Sequence, residues 1–181
     1  MIQQININMH HIKHMKTAFL TLALAAAALC GNVTAQETAA PAAAATAAVP
    51  AKLNTLQYIS EARPAADAKF YVYLCSASWC PPCRAIMPKI VNEYDTLRAA
   101  GGEIILLCFD RTPQAGEAYA KKYGVKFPAV MADFRTASQL GLPGFTPPRG
   151  IPHVTFVTPD GKVMHAGFGG TMLNWRAIIA K

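Results

Sequence analysis

Two cysteines stand three residues apart in the run Ser78-Trp79-Cys80-Pro81-Pro82-Cys83-Arg84. A pair at this spacing can close one small disulfide and open it again. Only a thiolate attacks a disulfide, and a free cysteine is mostly protonated at neutral pH. A helix start relieves that problem, because its unpaired N–H groups and partial positive charge stabilise a thiolate. Pro81 and Pro82 lack an N–H, which costs little in a first turn whose donors have no intrahelical partner. They stiffen the entry and leave the amide of Cys83 free to face the Cys80 sulfur. Cys80 is thus the expected nucleophile and Cys83, one turn further in, the resolving cysteine. Trp79 is a large apolar shield beside them. The competing reading is half of a zinc site, which would need two more ligands. The remaining cysteines of the five, Cys30, Cys75 and Cys108, do not provide that spacing.

The flanking sequence supplies the elements that would hold the pair. Residues 70–75 are apolar throughout and rich in β-formers, as expected of a buried strand. Residues 83–100 place Ile86, Ile90, Tyr94 and Leu97 on one helical face, and Gly101-Gly102 stops the helix. The motif therefore sits where a central strand gives way to a helix, the context expected of a redox pair. Residues 103–109 form a second buried strand, so the strand–helix–strand unit is parallel with a right-handed crossover. Further along, 113–123 predicts a helix closed by Gly124, 127–131 a short strand, and 134–140 a short helix. Residues 151–157 and 162–168 form a hairpin around Thr158-Pro-Asp-Gly161, and 171–180 a closing helix. Leu53, Leu56 and Ile59 predict a short opening helix over 53–62. The class is α/β with a mixed central sheet.

The N-terminal region is of a different kind. Lys16 precedes an apolar run over 18–29, followed by Val33-Thr34-Ala35. This is the pattern of a cleavable signal peptide over residues 1–35, too short to span a bilayer as a helix. Met15 is the alternative start. Cys30 invites a lipid anchor, but Leu29 stands where lipoprotein signals place a small residue, so the cut after Ala35 is preferred. Residues 36–51 are rich in Ala, Pro and Thr and are expected to be a flexible spacer. The folded domain is then 52–181. The chain carries 17 basic and 10 acidic side chains, a net charge of +7. Removing Lys13 and Lys16 leaves 15 against 10, or +5. These charges are scattered, which argues against a nucleic-acid partner.

Taken together, Trp79-Cys80-Pro81-Pro82-Cys83-Arg84, Met87-Pro88, Gly150-Ile151-Pro152 and the run from Phe156 to Val163 resemble the thioredoxin superfamily, closest to its exported TlpA/ResA-like branch. The resemblance covers about 53–181. It implies a thioredoxin fold, in which Pro88 matches the proline of the active-site helix and Gly167 a glycine of the last strand. Residues 113–140 resemble the TlpA-like insert. Pro152 matches the cis-proline facing the disulfide. A cis bond at Ile151–Pro152 would turn the Ile151 backbone toward the sulfurs, where a substrate strand could pair with it; the alternative is a trans proline opening an edge strand. The sequence departs from its relatives at Leu74 and Ile86, where they often carry an acid. His153, beside Pro152, is the candidate substitute as proton acceptor, or else an ordinary surface histidine.

The function implied is a thiol–disulfide oxidoreductase of the cell envelope or periplasm with a Cys80–Cys83 redox disulfide. It would use no cofactor and no metal and act as a monomer. Its partners would be cysteine-containing exported proteins, apocytochrome c among them, and a membrane thiol–disulfide electron donor. Reduction of substrates is the preferred direction, with a disulfide oxidant or isomerase as the alternative. A Cu(I) metallochaperone using Cys80, Cys83 and His153 belongs to a different class and would be expected to show Cys-x-x-x-Cys instead.

Overall fold

The computed structural model describes residues 48–181. The expected signal peptide, Cys30 and most of the expected spacer lie outside the described residues. A five-stranded sheet runs in the order β3-β2-β1-β4-β5. Its strands are β1 (Phe70–Ser76), β2 (Gly102–Cys108), β3 (Ala129–Met131), β4 (His153–Val157) and β5 (Val163–Phe168). β1 pairs in parallel with β2, and β2 with β3; β4 is antiparallel to β1 and to β5. The mixed sheet agrees with the sequence reading. Every residue of β1 and β2 is buried, which is why, apart from Ser76 and Glu103, both segments are apolar without alternation.

The crossovers are α2 (Pro81–Ala99), between β1 and β2, and α3 (Pro113–Tyr123), between β2 and β3. Both connections step the same way across the sheet. Right-handed crossovers must then lie on one face, and the packing agrees. Met87, Ile90, Tyr94 and Leu97 of α2 and Tyr119 of α3 share a core layer with Val72, Leu74, Ile104 and Leu106. The C-terminal α4 (Trp175–Ile179) joins them through Trp175. The buried stripe of α2 runs Cys83, Met87, Ile90, Tyr94, Leu97. Met87 thus occupies the place that the sequence reading gave to Ile86, which is only partly buried. α3 has the expected ends: Thr112 caps it by accepting the Ala115 N–H at 3.2 Å, and Gly124 closes it at φ 65°.

The opposite face is covered more irregularly. α1 (Ala48–Leu53) buries Val49, Pro50 and Leu53 there, alongside Tyr71, Tyr73, Cys75, Ile105 and Leu107. This corrects two expectations. Residues 48–51, given to the spacer by the sequence reading, are helical, because Val49 and Leu53, one helical turn apart, both find the core. The helix expected over 53–62 ends at Leu53 instead. Beyond it Tyr58 bridges to Val130, Ile59 donates its N–H to the Ala129 carbonyl at 2.9 Å, and the Tyr58 hydroxyl donates to the Leu53 carbonyl at 2.8 Å. Pairing with the edge strand β3 outcompetes helix there. The segment 134–140 forms only a short 3-10 turn, Ala137–Leu140, and the expected closing helix is a 3-10 turn, Gly169–Asn174, followed by the short α4. Among the described residues, no helix is long and apolar enough to cross a membrane.

Ile90 is fully buried at the centre of the α2 stripe. Ile90→Ala should lower unfolding stability by about 3 kcal/mol through lost burial and a residual cavity, measured by urea titration with the m-value unchanged.

Candidate active site

β1 ends at Ser76 and α2 begins at Pro81, so residues 77–80 form a tight connection at the C-terminal edge of two parallel strands. Cys80 is the N-cap of α2, with extended backbone at φ −89° and ψ 110°. It is disulfide-bonded to Cys83, with the two Cα atoms 5.2 Å apart. Pro81 and Pro82 fill the first turn, and the Cys83 N–H donates to the Cys80 Sγ at 3.3 Å. That donor would remain for a Cys80 thiolate after reduction and would favour the ionised form, together with the helix N-terminus. Cys80 keeps 3 % exposure and Cys83 none, so Cys80 is the outer residue of the pair.

The Ile151–Pro152 peptide bond is cis. The Ile151 carbonyl oxygen lies 3.6 Å from the Cys80 Sγ, so the two segments that the sequence singled out meet at the sulfur. The Gly169 N–H donates to the Pro152 carbonyl at 2.9 Å and fixes the far side of this loop. Trp79 is 51 % exposed, and its indole N–H donates to the Phe109 carbonyl at 2.9 Å. The ring is therefore held in place beside the cysteines rather than buried over them.

Asp110, which the sequence reading passed over, does much of the positioning. It lies just beyond β2 and is 5 % exposed. Its carboxylate accepts the Ser78 N–H at 3.1 and 3.2 Å and also accepts the Ser78 hydroxyl. Arg84 completes the clamp by donating to the Ser78 carbonyl at 2.9 Å. Ser78, two residues before the nucleophile, is thus held at its amide, hydroxyl and carbonyl. The available signal was an acid closing an apolar strand adjacent to the motif strand, where a buried carboxylate needs donors.

His153 is half-buried, and burial, followed by the nearby His165, holds its imidazole below the usual range. It pairs across the strands with Cys75 and Phe168 and lines a cavity of about 210 Å³ with Thr155, Pro147 and Pro148. Among the described residues it makes no side-chain hydrogen bond to Cys80 or Cys83. Cys75 and Cys108 are free. They lie on adjacent strands but belong to core layers on opposite faces of the sheet, so they do not form the second disulfide that strand adjacency allows. Burial pushes the Cys75 thiol up, and burial followed by a hydrogen bond to Asp110 pushes that of Cys108 up to about 12.

Two outcomes are expected from this geometry. Iodoacetamide treatment of the reduced native protein should label Cys80 first, at a pH below the free-thiol value of about 8.5. Cys75 and Cys108 should label only in denaturant, as read by peptide mass spectrometry. Asp110→Ala should lower stability by about 2 kcal/mol, because it leaves the Ser78 N–H without its acceptor. Asp110→Asn, which keeps an oxygen there, should lose less in the same urea titration.

Residues 40–166 match the model of the AhpC/TSA family. The chain is 30 % identical over 87 residues to the thiol-disulfide oxidoreductase ResA of Bacillus subtilis, covering 48 % of this chain and 46 % of that protein. It is 32 % identical over 92 residues to ResA of Bacillus anthracis, covering 51 % and 50 %. The chain thus spans about half the length of the curated relatives it matches. Among solved structures, a thiol:disulfide interchange protein from Chlorobium tepidum superposes with TM-score 0.51 at 22 % identity, covering 63 % of this chain and 79 % of that one. A DsbF homologue from Corynebacterium diphtheriae gives 0.52 at 20 %, covering 62 % and 71 %. These superpositions establish the fold. The chain belongs to the AhpC/TSA family, and it is similar to the ResA thiol-disulfide oxidoreductases over about half its length.

Proposed function

We propose that the protein is a thiol–disulfide oxidoreductase that reduces disulfides of exported proteins. The observation that carries this reading is the Cys80–Cys83 pair at the start of α2, with the Ile151 carbonyl 3.6 Å from the Cys80 Sγ. In the reduced enzyme the Cys80 thiolate attacks one sulfur of a substrate disulfide. That bond breaks, a Cys80–substrate disulfide forms, and the other substrate sulfur leaves as a thiolate. Cys83 then loses its proton and attacks the Cys80 sulfur. This closes Cys80–Cys83 and releases the second substrate thiolate. Two electrons have passed to the substrate, and a dithiol donor in the membrane would restore the enzyme.

Ile151 supports docking in this scheme, since its backbone lies beside the sulfur where an extended substrate segment could add as a short strand. His153 is the proposed acceptor of the Cys83 proton, acting through water. Burial, followed by His165, holds its pKa below the usual range, which favours the neutral imidazole that an acceptor must be while making it a weaker base. Both sulfurs and the Ile151 carbonyl come from one chain, so a monomer suffices. The setting proposed is the cell envelope, reached through cleavage after Ala35. The similarity to ResA supports thiol–disulfide exchange, and reduction is the proposed direction.

Cys80→Ser should abolish reduction of insulin by dithiothreitol. Cys83→Ser should accumulate Cys80–substrate mixed disulfides, visible on non-reducing gels. A Cys80→Ser protein that still reduces insulin would overturn the assignment of roles. The direction is checked separately by equilibration with glutathione. A potential near the thioredoxin value of about −270 mV supports the reductant, and one near about −120 mV makes the protein an oxidant.

A further inference from the structure

We propose that the surface running from Cys80 along the first turn of α2 and one face of α3 is a docking site for an acidic polypeptide segment that carries the disulfide to be reduced. The inference rests on the thiol–disulfide reading and adds the class of substrate. Two grooves meet there, sharing Ser78 and Ala115. One, of about 510 Å³, runs past Trp79, Phe109 and Arg111. The other, of about 320 Å³, runs past Arg84, Lys122 and Tyr123.

Three cations line these grooves against one buried carboxylate. Arg84, Arg111 and Lys122 are all exposed. The ion pairs among the described residues are Arg98–Glu103, Lys126–Asp95 and Arg176–Glu93, so none of these three cations is neutralised. Arg84 spends one N–H on the Ser78 carbonyl, and Lys122 sits 5.7 Å over the Tyr123 ring; neither contact supplies a counter-charge. The one carboxylate lining either groove is Asp110, whose oxygens are taken by Ser78 and Cys108. Glu117, also on α3, lines a separate depression with Lys121 and Lys126. α3 therefore presents Lys122 to this groove and keeps Glu117 on another side.

Apolar surface accompanies the charge. Trp79 is 51 % exposed, and Phe134, 44 % exposed, packs edge-to-face on Phe109. A segment with acidic residues and an apolar side chain near its cysteine fits this surface. Three cations without a salt-bridge partner along these grooves would raise the encounter rate of such a segment and favour it over basic segments.

The test uses two synthetic peptides, each with one cysteine capped by 2-mercaptoethanol as a mixed disulfide and flanked by glutamates or by lysines. Full-length reduced protein should reduce the glutamate peptide about tenfold faster at about 20 mM salt, and the gap should close toward about 0.5 M. The double variant Arg111→Glu, Lys122→Glu should erase or invert the preference, while reduction of uncharged bis(2-hydroxyethyl) disulfide stays at the wild-type rate. Equal rates for the two peptides, or a preference that the double variant leaves intact, would overturn the docking proposal. Failure to reduce the uncharged disulfide would instead refute the oxidoreductase reading. In that case anisotropy of the labelled peptides on the oxidised protein decides the docking alone: tighter binding of the glutamate peptide that is lost in the double variant supports it, and equal binding refutes it.

Discussion

The site depends on a single residue serving two elements at once. Cys80 is both the N-cap that starts α2 and the outer sulfur of the disulfide, and the Cys83 amide that would cap any helix here points at that sulfur. An ordinary cap is a serine or aspartate whose oxygen satisfies an orphan N–H. Here sulfur takes the role, so the helix start and the reactivity of the thiolate share the same donor. A change in the angle at which the chain enters α2 would disturb both. That explains why the connection from β1 is so heavily constrained: Ser78 is held at three atoms, and the Trp79 indole is tied to the end of β2.

Those constraints come from the neighbouring strand, which gives the sheet topology a chemical purpose. β1 and β2 are parallel and in register, so the residues just past their C-terminal ends lie side by side. Ser78 follows β1 and Asp110 follows β2. The Phe109 N–H donates to the Ser76 carbonyl at 2.8 Å and extends the pairing to the edge of the site. The third segment, the Ile151–Pro152 loop, arrives from the other flank through β4, which pairs with β1 antiparallel. A central strand with a parallel neighbour on one side and an antiparallel one on the other brings a C-terminal end and an N-terminal end to the same edge.

What was legible in the sequence followed from local chemistry. The unbroken apolar runs of β1 and β2, the capped and glycine-closed α3, the hairpin turn at Thr158–Gly161 and the helical stripe after Cys83 are each decided by residues close together in the chain. The Cys80–Cys83 pair was legible from its spacing, and its encounter with Ile151 and Pro152 through the resemblance to the thioredoxin superfamily. Elsewhere distant partners decided. Residues 54–62 have helical spacing but lie against β3, and Val49 is ordered although its surroundings resemble a linker. Ile86 and Met87 differ by one position on a helix face, which only packing resolves. Asp110 was missed because its position at a strand end gains meaning only from Ser78, thirty-two residues away.

The opposite placement of Cys75 and Cys108 has a consequence for how the chain matures. An unfolded chain with four cysteines beyond residue 35 can form several wrong disulfides wherever oxidants are present. Once β1 and β2 align, with Ser76 opposite Cys108, the sheet itself becomes a partition. One spare thiol is enclosed above it, the other below, and both are fully buried. Pairing of the two central strands therefore keeps Cys75 and Cys108 apart in the folded chain, and the helix-start pair is the combination that meets.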